Sequence, residues 1–212
     1  ATARLTRTTG LAVVTAGPGV TNVVSPVASA HFNGAPMVVV AGRAPDFRAG
    51  TGALQEIDHP PLLAPITKRA WTVHEPAGIG EATASAFELA ARAHRGPVFL
   101  DIPMDVLYTP TSTTPPQAED APERLIDPEE LDAVAELIAH SEHPVLVISS
   151  DVWADRAEDQ ARLCAETLGL PVVATGLGRG ILPRGHPLLV TRARSTAFAE
   201  ADLVIVAGAP LD

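Results

Sequence analysis

The sequence predicts an α/β fold built as two doubly wound parallel-sheet domains, and two observations support that prediction. Short β-branched runs alternate with segments of helical periodicity, which is typical of parallel strands covered by helices on both faces. Residues 110–126, rich in proline, threonine and acidic side chains, have almost no large apolar groups whose burial would offset the entropy of ordering. We therefore predict a first domain over residues 1–109, a linker over 110–126 and a second domain over 127–212.

In the first domain, the apolar runs 12–15, 37–41 and 97–102 are predicted strands. Small and apolar residues over 22–34 predict a closely packed helix, in which Pro26 is tolerable only near the first turns. Residues 79–94 are rich in alanine and carry apolar side chains at helical spacing, so they predict a second helix.

In the second domain, Asp127 is a candidate helix cap, because proline and two glutamates follow it and apolar residues then recur at helical spacing. That spacing predicts a helix after Asp127. Predicted strands cover 145–149, 171–174 and 203–207, and a predicted helix over 154–168 ends at Gly169.

Composition excludes several classes of protein. The chain has 15 lysines and arginines against 25 acidic residues, a net charge of −10 without a basic stripe, which argues against nucleic acid as a partner. No apolar run approaches the roughly 20 residues of a membrane span, and no signal peptide opens the chain. These features predict a cytoplasmic protein with no membrane partner. Cys164, the single cysteine, excludes an internal disulfide and is predicted to be a small core residue.

Both domains are expected to be incomplete. The first begins with TARLTRTTG directly before a strand, and the second stops at GAPLD, just past a strand end. Ligands of doubly wound folds gather at the carboxyl ends of strands, so a chain that stops there is cut beside its own site. We expect this chain to be a piece of a longer polypeptide.

The first candidate site is the turn Gly17-Pro18-Gly19, where a predicted strand runs into a helix. Glycines permit a sharp turn and close approach of a ligand to the backbone, and the Asn22 amide can both donate and accept hydrogen bonds. The segment is neither a dinucleotide fingerprint nor a phosphate loop. On these residues alone, a ligand-binding turn and a simple connection stay equally open.

The second candidate site is the glycine-flanked loop that carries Gln55, a composition suited to facing a ligand. Its acids Glu56 and Asp58 are predicted to be solvated. His59 lacks further ligands at metal spacing, so we predict no metal site in this chain. Farther along, Asp101 and Asp105 resemble a carboxylate pair, although their position at a strand end favours capping and turn roles.

Several motifs in fixed order then identify a family. TAGPGVTN, APMVVVAGRAP, GALQEID and GPVFLDIPMDV resemble the pyrimidine-binding domain of thiamine-diphosphate enzymes, in the branch of acetolactate synthase. HPVLVISSDV, LPVVATGLGRGILPRGHPLL and RARSTAFAEADLVIVAGAPLD resemble the central domain of that family. The resemblance covers nearly the whole chain apart from the linker.

The resemblance implies roles for particular residues. The turn Gly17-Pro18-Gly19 and Asn22 would lie against the aminopyrimidine ring of thiamine diphosphate. Gln55, preceded by Leu54, would point towards the reacting carbon as the catalytic amide. The implied reaction decarboxylates a 2-oxo acid and ligates the resulting carbanion to a second 2-oxo acid, a step of branched-chain amino acid biosynthesis.

The resemblance also implies what this chain lacks. The activating glutamate of the family would precede residue 1, and the ligands of Mg²⁺ would follow residue 212. The intact enzyme would be a homodimer or homotetramer with its sites between subunits. The isolated chain is accordingly predicted to be inactive.

Two departures keep an alternative open. Leu54 stands where acetolactate synthases have an aromatic residue, and Met104 replaces a lysine that would meet a substrate carboxylate. ALQEID and IPMDVLY also resemble 2-hydroxyacyl-coenzyme A lyases and oxalyl-coenzyme A decarboxylases, which act on thioesters with the same cofactor. A non-catalytic homologue with a binding or assembly role is the second alternative.

The central domain of acetolactate synthases holds FAD, and that of the coenzyme A group holds ADP. The resemblance implies that such a nucleotide would face five residues of this chain. These candidates are Thr175, Gly176, Leu177, Arg194 and Ser195.

Overall fold

The computed structural model describes residues 1–113, 116 and 126–209. The chain divides into two compact units, residues 1–121 and 122–212, which are described separately below. Most of the predicted linker lies outside the described residues, so the predicted domain limits stay a prediction. Of the helices in the described part of the chain, none has the length and apolar character needed to cross a membrane.

The first unit contains a four-stranded parallel sheet with strand order β1-β2-β4-β3. Its strands are β1 (Gly10–Val14), β2 (Met37–Arg43), β3 (Ala70–Thr72) and β4 (Pro97–Pro103). Its α-helices are α1 (Thr2–Thr6), α2 (Pro18–Phe32), α3 (His59–Leu63), α4 (Ile79–Ala91) and α5 (Met104–Tyr108).

Both faces of this sheet are covered, which confirms the predicted fold class. Val38, Val98 and Leu100 pack on one side in a cluster that includes residues of α4. Their neighbours Val39 and Phe99 point to the opposite side, into a cluster that includes residues of α2 and α3. Successive side chains of a strand face opposite ways, so β2 and β4 must be apolar along nearly their whole length.

The sequence predicted that Pro26 lies near the first turns of its helix, and the structure shows that it does not. Helix α2 begins at Pro18, four residues earlier than expected, so Pro26 lies in its interior. Without an N–H, Pro26 cannot bond the carbonyl of Asn22, and a helix-interior proline costs about 3 kcal/mol. Val20 and Val27, both fully buried, anchor the turns on either side, and their burial offsets much of that cost.

The second unit contains a three-stranded parallel sheet with strand order β6-β5-β7. Its strands are β5 (Pro144–Ile148), β6 (Val172–Ala174) and β7 (Leu203–Ala207). Its α-helices are α6 (Pro128–His140), α7 (Ser150–Ala154), α8 (Glu158–Leu168) and α9 (Arg194–Glu200). Leu146, Ile148 and Val172 form its core with residues of α7, α8 and the segment 181–182.

Two predictions about helix ends in this unit are confirmed. The Asp127 side chain accepts the N–H of Glu129 at 3.0 Å at the start of α6. Gly169 ends α8 in the left-handed conformation with φ 64°.

Two other predictions in this unit are wrong, and one helix lies outside its core. The predicted helix over 154–168 is interrupted, because α7 ends at Ala154 and α8 begins at Glu158. Cys164 is exposed, since its neighbour Ala165 occupies the buried face of α8. Helix α6 has no buried residue, so its apolar pattern does not pack into the core of the unit.

Asp202 ties the amino ends of β5 and β7 together. Its carboxylate accepts hydrogen bonds from the Ser141 hydroxyl, from the N–H of Glu142 at 2.8 Å and from the N–H of His143 at 2.9 Å. Those bonds, with the Ser141 hydroxyl first, lower the pKa of Asp202 from 3.8 to about 2. Its stabilising effect is therefore complete above about pH 4 and is lost as the pH falls towards 2.

We expect Asp202→Asn to lower the free energy of unfolding at pH 6, because the amide presents one acceptor oxygen where the carboxylate presents two. The difference from the wild type should shrink as the pH falls from 4 towards 2, because the carboxylate is protonated near pH 4 in the unfolded chain and only near pH 2 in the folded chain. Urea unfolding at pH 6, 4 and 3 measures this. The control is Asp132→Asn, at an exposed position of α6. A wild-type advantage over Asp202→Asn that stays constant with pH would contradict the assignment.

Candidate active site

The turn after β1 packs its backbone directly against the loop that precedes α3. Gly17 is buried with φ +60°, and a Cβ added to it would lie 2.9 Å from the Cβ of Gln55 and 3.1 Å from its Cα. A side chain at position 17 would therefore be both strained and in collision. The structure thus brings two predicted site residues, Gly17 and Gln55, into contact.

Gln55 has an unusual backbone conformation. Its φ is +64°, in the left-handed region that costs a residue with a side chain roughly 1–2 kcal/mol. The side chain is exposed, and its amide has no hydrogen-bond partner among the described residues. Leu54 beside it is 89% exposed. Strain of this kind concentrates at functional sites, where surrounding contacts maintain it.

Glu56, predicted to be a solvated acid, is half-buried and stabilises the loop through backbone hydrogen bonds. Its two carboxylate oxygens accept the N–H of Gly50 and, at 2.8 Å, the N–H of Ala53. These bonds favour the ionised form, with the Gly50 N–H contributing most, and lower the pKa of Glu56. Asp58 remains exposed and lies 3.4 Å from Arg43.

Asp101 and His59 form a buried pair beneath the turn. Both side chains are 0% exposed, and Asp101 Oδ2 lies 2.8 Å from Nδ1 of His59. The same oxygen accepts a hydrogen bond from Arg43 Nη1 at 3.2 Å. On its other side His59 accepts the Gly17 N–H at Nε2, at 3.1 Å. The prediction that Asp101 has a capping or turn role is therefore wrong.

Asp105, by contrast, does bond a backbone group. Its Oδ1 accepts the N–H of Asp46 at 3.1 Å, which joins α5 to the loop after β2. The Asp46 carboxylate in turn contacts Nδ1 of His74.

These groups meet because β1, β2 and β4 are parallel and end at one edge of the sheet. Pro18 and Asn22, both exposed, extend the same site along the first turns of α2. The result is a turn with two glycines, flanked by uncharged amides. That chemistry fits an aminopyrimidine ring, which needs close backbone approach and groups that both donate and accept hydrogen bonds. In the described part of the chain, no group of three or more His, Cys, Asp or Glu side chains is placed to hold a metal ion.

The second unit has a polar edge of its own at the carboxyl ends of its strands. Thr175, after β6, donates from its hydroxyl to Ser149 Oγ at 2.9 Å, and the Leu177 N–H donates to Ser150 Oγ at 3.1 Å. Gly176 has φ +49°, and a Cβ there would collide with Ser150 Oγ. The two serines were missed by sequence reasoning, although they follow β5 as Thr175 follows β6.

Arg194 reaches the same edge from α9. Its guanidinium donates to the Ala174 carbonyl at 3.3 Å, while its Nε is buried without a hydrogen-bond partner among the described residues. Ser195, next to it, is exposed. Hydroxyls, backbone N–H groups and one guanidinium are groups that bind phosphate and ribose oxygens.

Comparison with known proteins identifies two segments of the chain with family models. Residues 1–62 match the family model described as thiamine pyrophosphate enzyme, N-terminal TPP binding domain. Residues 131–212 match the model described as thiamine pyrophosphate enzyme, central domain.

Two kinds of curated relative are similar to the chain over nearly its whole length. An acetolactate synthase large subunit of Mycobacterium tuberculosis is 37% identical over 221 residues, covering 99% of this chain and 39% of that protein. The 2-hydroxyacyl-CoA lyase 2 of Homo sapiens is 30% identical over 249 residues, covering 100% of this chain and 39% of the relative. The chain thus spans about two fifths of the length of these relatives. It belongs to the thiamine pyrophosphate enzymes, and its two matched segments correspond to their N-terminal and central domains.

Proposed function

We propose that this chain is part of an enzyme that decarboxylates a 2-oxo acid and ligates the product to a second 2-oxo acid, as an acetolactate synthase does. The observation that carries the proposal is the contact between the Gly17 turn and the strained Gln55. This contact puts the glycine backbone of the turn next to a residue whose amide has no hydrogen-bond partner among the described residues, at the carboxyl ends of the strands. Similarity to acetolactate synthase large subunits supports the same reaction.

In this proposal the chain binds and orients, while the chemistry needs thiamine diphosphate and Mg²⁺, with the metal ligands outside these residues. When bound, the cofactor supplies the electron sink that permits loss of CO2 and carbon–carbon bond formation. The turn Gly17-Pro18-Gly19 would face the aminopyrimidine ring, and the Asn22 amide would bond its polar edge. The Gln55 amide would hold a substrate carbonyl or carboxylate without itself changing charge, and Leu54 would exclude water beside it.

A thioester substrate is the second candidate. Met104, at the start of α5, is 51% exposed and supplies no cation for the carboxylate of a 2-oxo acid. A 2-hydroxyacyl-CoA substrate has no such carboxylate and does not require that cation, and 2-hydroxyacyl-CoA lyase 2 is among the relatives. Assays of the complete enzyme with pyruvate, 2-hydroxyacyl-CoA and oxalyl-CoA distinguish the two reactions. Binding of the cofactor without turnover of any of them would favour a non-catalytic homologue.

For the second unit, we propose that the edge formed by Thr175, Gly176, Leu177, Arg194 and Ser195 holds FAD or ADP. Ser149 and Ser150 join the same edge through the hydrogen bonds described above. We also propose that the complete enzyme is a cytoplasmic homodimer or homotetramer. Analytical ultracentrifugation of the complete enzyme tests its oligomeric state.

Gln55→Ala in the complete enzyme should lower kcat/KM about ten- to a hundredfold. The variant loses a hydrogen bond to a charged or developing-charge group, worth about 1.5–3 kcal/mol. Gln55→Gly should lose as much activity yet be about 1 kcal/mol more stable than Gln55→Ala, because glycine relieves the left-handed strain. Steady-state kinetics and thermal unfolding measure both effects. The control Gln160→Ala, exposed on α8, should change neither. Full activity of Gln55→Ala would refute the assigned role.

Asn22→Ala should raise the Kd of thiamine diphosphate more than it lowers kcat at saturating cofactor. The residue is exposed on the second turn of α2, so its loss should change the melting temperature little. Titration of the apoenzyme with cofactor, with melting temperatures measured in parallel, tests this. An unchanged Kd with a lower melting temperature would instead make Asn22 a turn former.

Arg194→Gln should weaken binding of FAD or ADP roughly tenfold or more, because a charge-assisted bond to phosphate is lost. Arg192→Gln, an exposed arginine two residues away, is the matched control. Isothermal titration with each nucleotide compares the two variants. Equal nucleotide affinities in both would exclude Arg194 from the site.

A further inference from the structure

His59 occupies a position with two different requirements. It is fully buried, and its two ring nitrogens face groups 42 positions away along the chain in opposite directions, Gly17 and Asp101. The Gly17 N–H can only donate, so Nε2 must present its lone pair. Nδ1 must then carry the proton, which it donates to the Asp101 carboxylate. The geometry assigns one tautomer, neutral and protonated at Nδ1.

Asp101 maintains that tautomer. Its Oδ2 accepts from both His59 and Arg43, and its Oδ1 is buried with no hydrogen-bond partner among the described residues. A buried carboxylate needs compensation, and these two contacts provide it. The other tautomer, with its proton on Nε2, would set two donors, Nε2–H and the Gly17 N–H, against each other.

The Gly17 end of this chain of bonds reaches the candidate reacting centre. A Cβ on Gly17 would lie 2.9 Å from the Gln55 Cβ and 3.1 Å from its Cα, so a shift of the turn towards Gln55 shifts that residue as well. We propose that His59 is a positioning residue, an inference that rests on the proposed function. Through Nε2 it sets the Gly17 turn, and through that turn the backbone of Gln55, for the reaction.

Two substitutions separate the two bonds of His59. In His59→Gln the amide oxygen lies near the position of Nε2 and can still accept the Gly17 N–H. In His59→Asn the amide NH₂ lies near the position of Nδ1 and can still donate to Asp101, but nothing accepts the Gly17 N–H. His186→Leu is the control, because His186 also accepts a backbone N–H, from Leu188, and contacts a carboxylate, that of Glu166.

The proposal predicts opposite orders for activity and stability. With saturating cofactor, kcat/KM for pyruvate should stay within about threefold of the wild type in His59→Gln and fall at least tenfold in His59→Asn. His59→Asn should nevertheless melt at the higher temperature of the two, because it keeps the bond to the buried carboxylate. His186→Leu should leave kcat/KM unchanged. Equal kcat/KM in the Gln and Asn variants, or activity that follows melting temperature, would overturn the proposal.

Two readouts that do not involve turnover keep this test independent of the proposed function. ¹⁵N NMR of histidine-labelled enzyme should show the His59 proton on Nδ1, with the signal assigned by its loss in His59→Gln. Hydrogen exchange of the Gly17 amide should speed up in His59→Asn and stay slow in His59→Gln. A proton on Nε2, or no difference in exchange, refutes the positioning role. Absence of wild-type turnover with these two results intact would refute only the proposed reaction.

Discussion

A carboxylate in the fully buried strand β4 is the constraint on which the rest of the first unit depends. Asp101 comes directly after the buried Phe99 and Leu100, and its side chain has no contact with solvent. An isolated buried charge is so unfavourable that other side chains must pair with it or donate hydrogen bonds to it. Arg43 comes from the end of the neighbouring strand β2, and His59 comes from the start of α3. Because His59 then accepts the Gly17 N–H, the electrostatic requirement in β4 determines the shape of the turn after β1.

That arrangement explains how a strained residue persists at the strand edge. The left-handed Gln55 is held between two fixed supports, the backbone of Gly17 on one side and the Glu56 carboxylate bonded to the loop on the other. Neither support uses the Gln55 side chain. The amide therefore remains available for a ligand while its backbone is fixed, which is the preorganisation that a binding or catalytic group requires.

Local patterns predicted the elements well, because a strand covered on both faces must be apolar throughout and a helix end needs a cap. The runs that became β2, β4, β5 and β7 were recognisable for that reason, as was the cap at Asp127. Helix limits and burial were less predictable. Pro26 lies inside α2 because flanking valines are buried, and Cys164 is exposed because α8 turns Ala165 inward. Such outcomes depend on tertiary packing, which periodicity alone does not contain.

The buried pair was missed for a related reason. His59 has no neighbours in the sequence that mark its role, because both of its partners lie 42 positions away. The second unit shows that the glycine of such a site can nonetheless be recognised from the sequence. There too a glycine after a strand, Gly176, has a positive φ and fits against a side chain from the next strand end, Ser150. In both units the glycine marks where one strand end approaches another segment, and this follows from sterics. The identity of the approaching group is set by the parallel order of the strands, so it emerges only once the sheet is assembled.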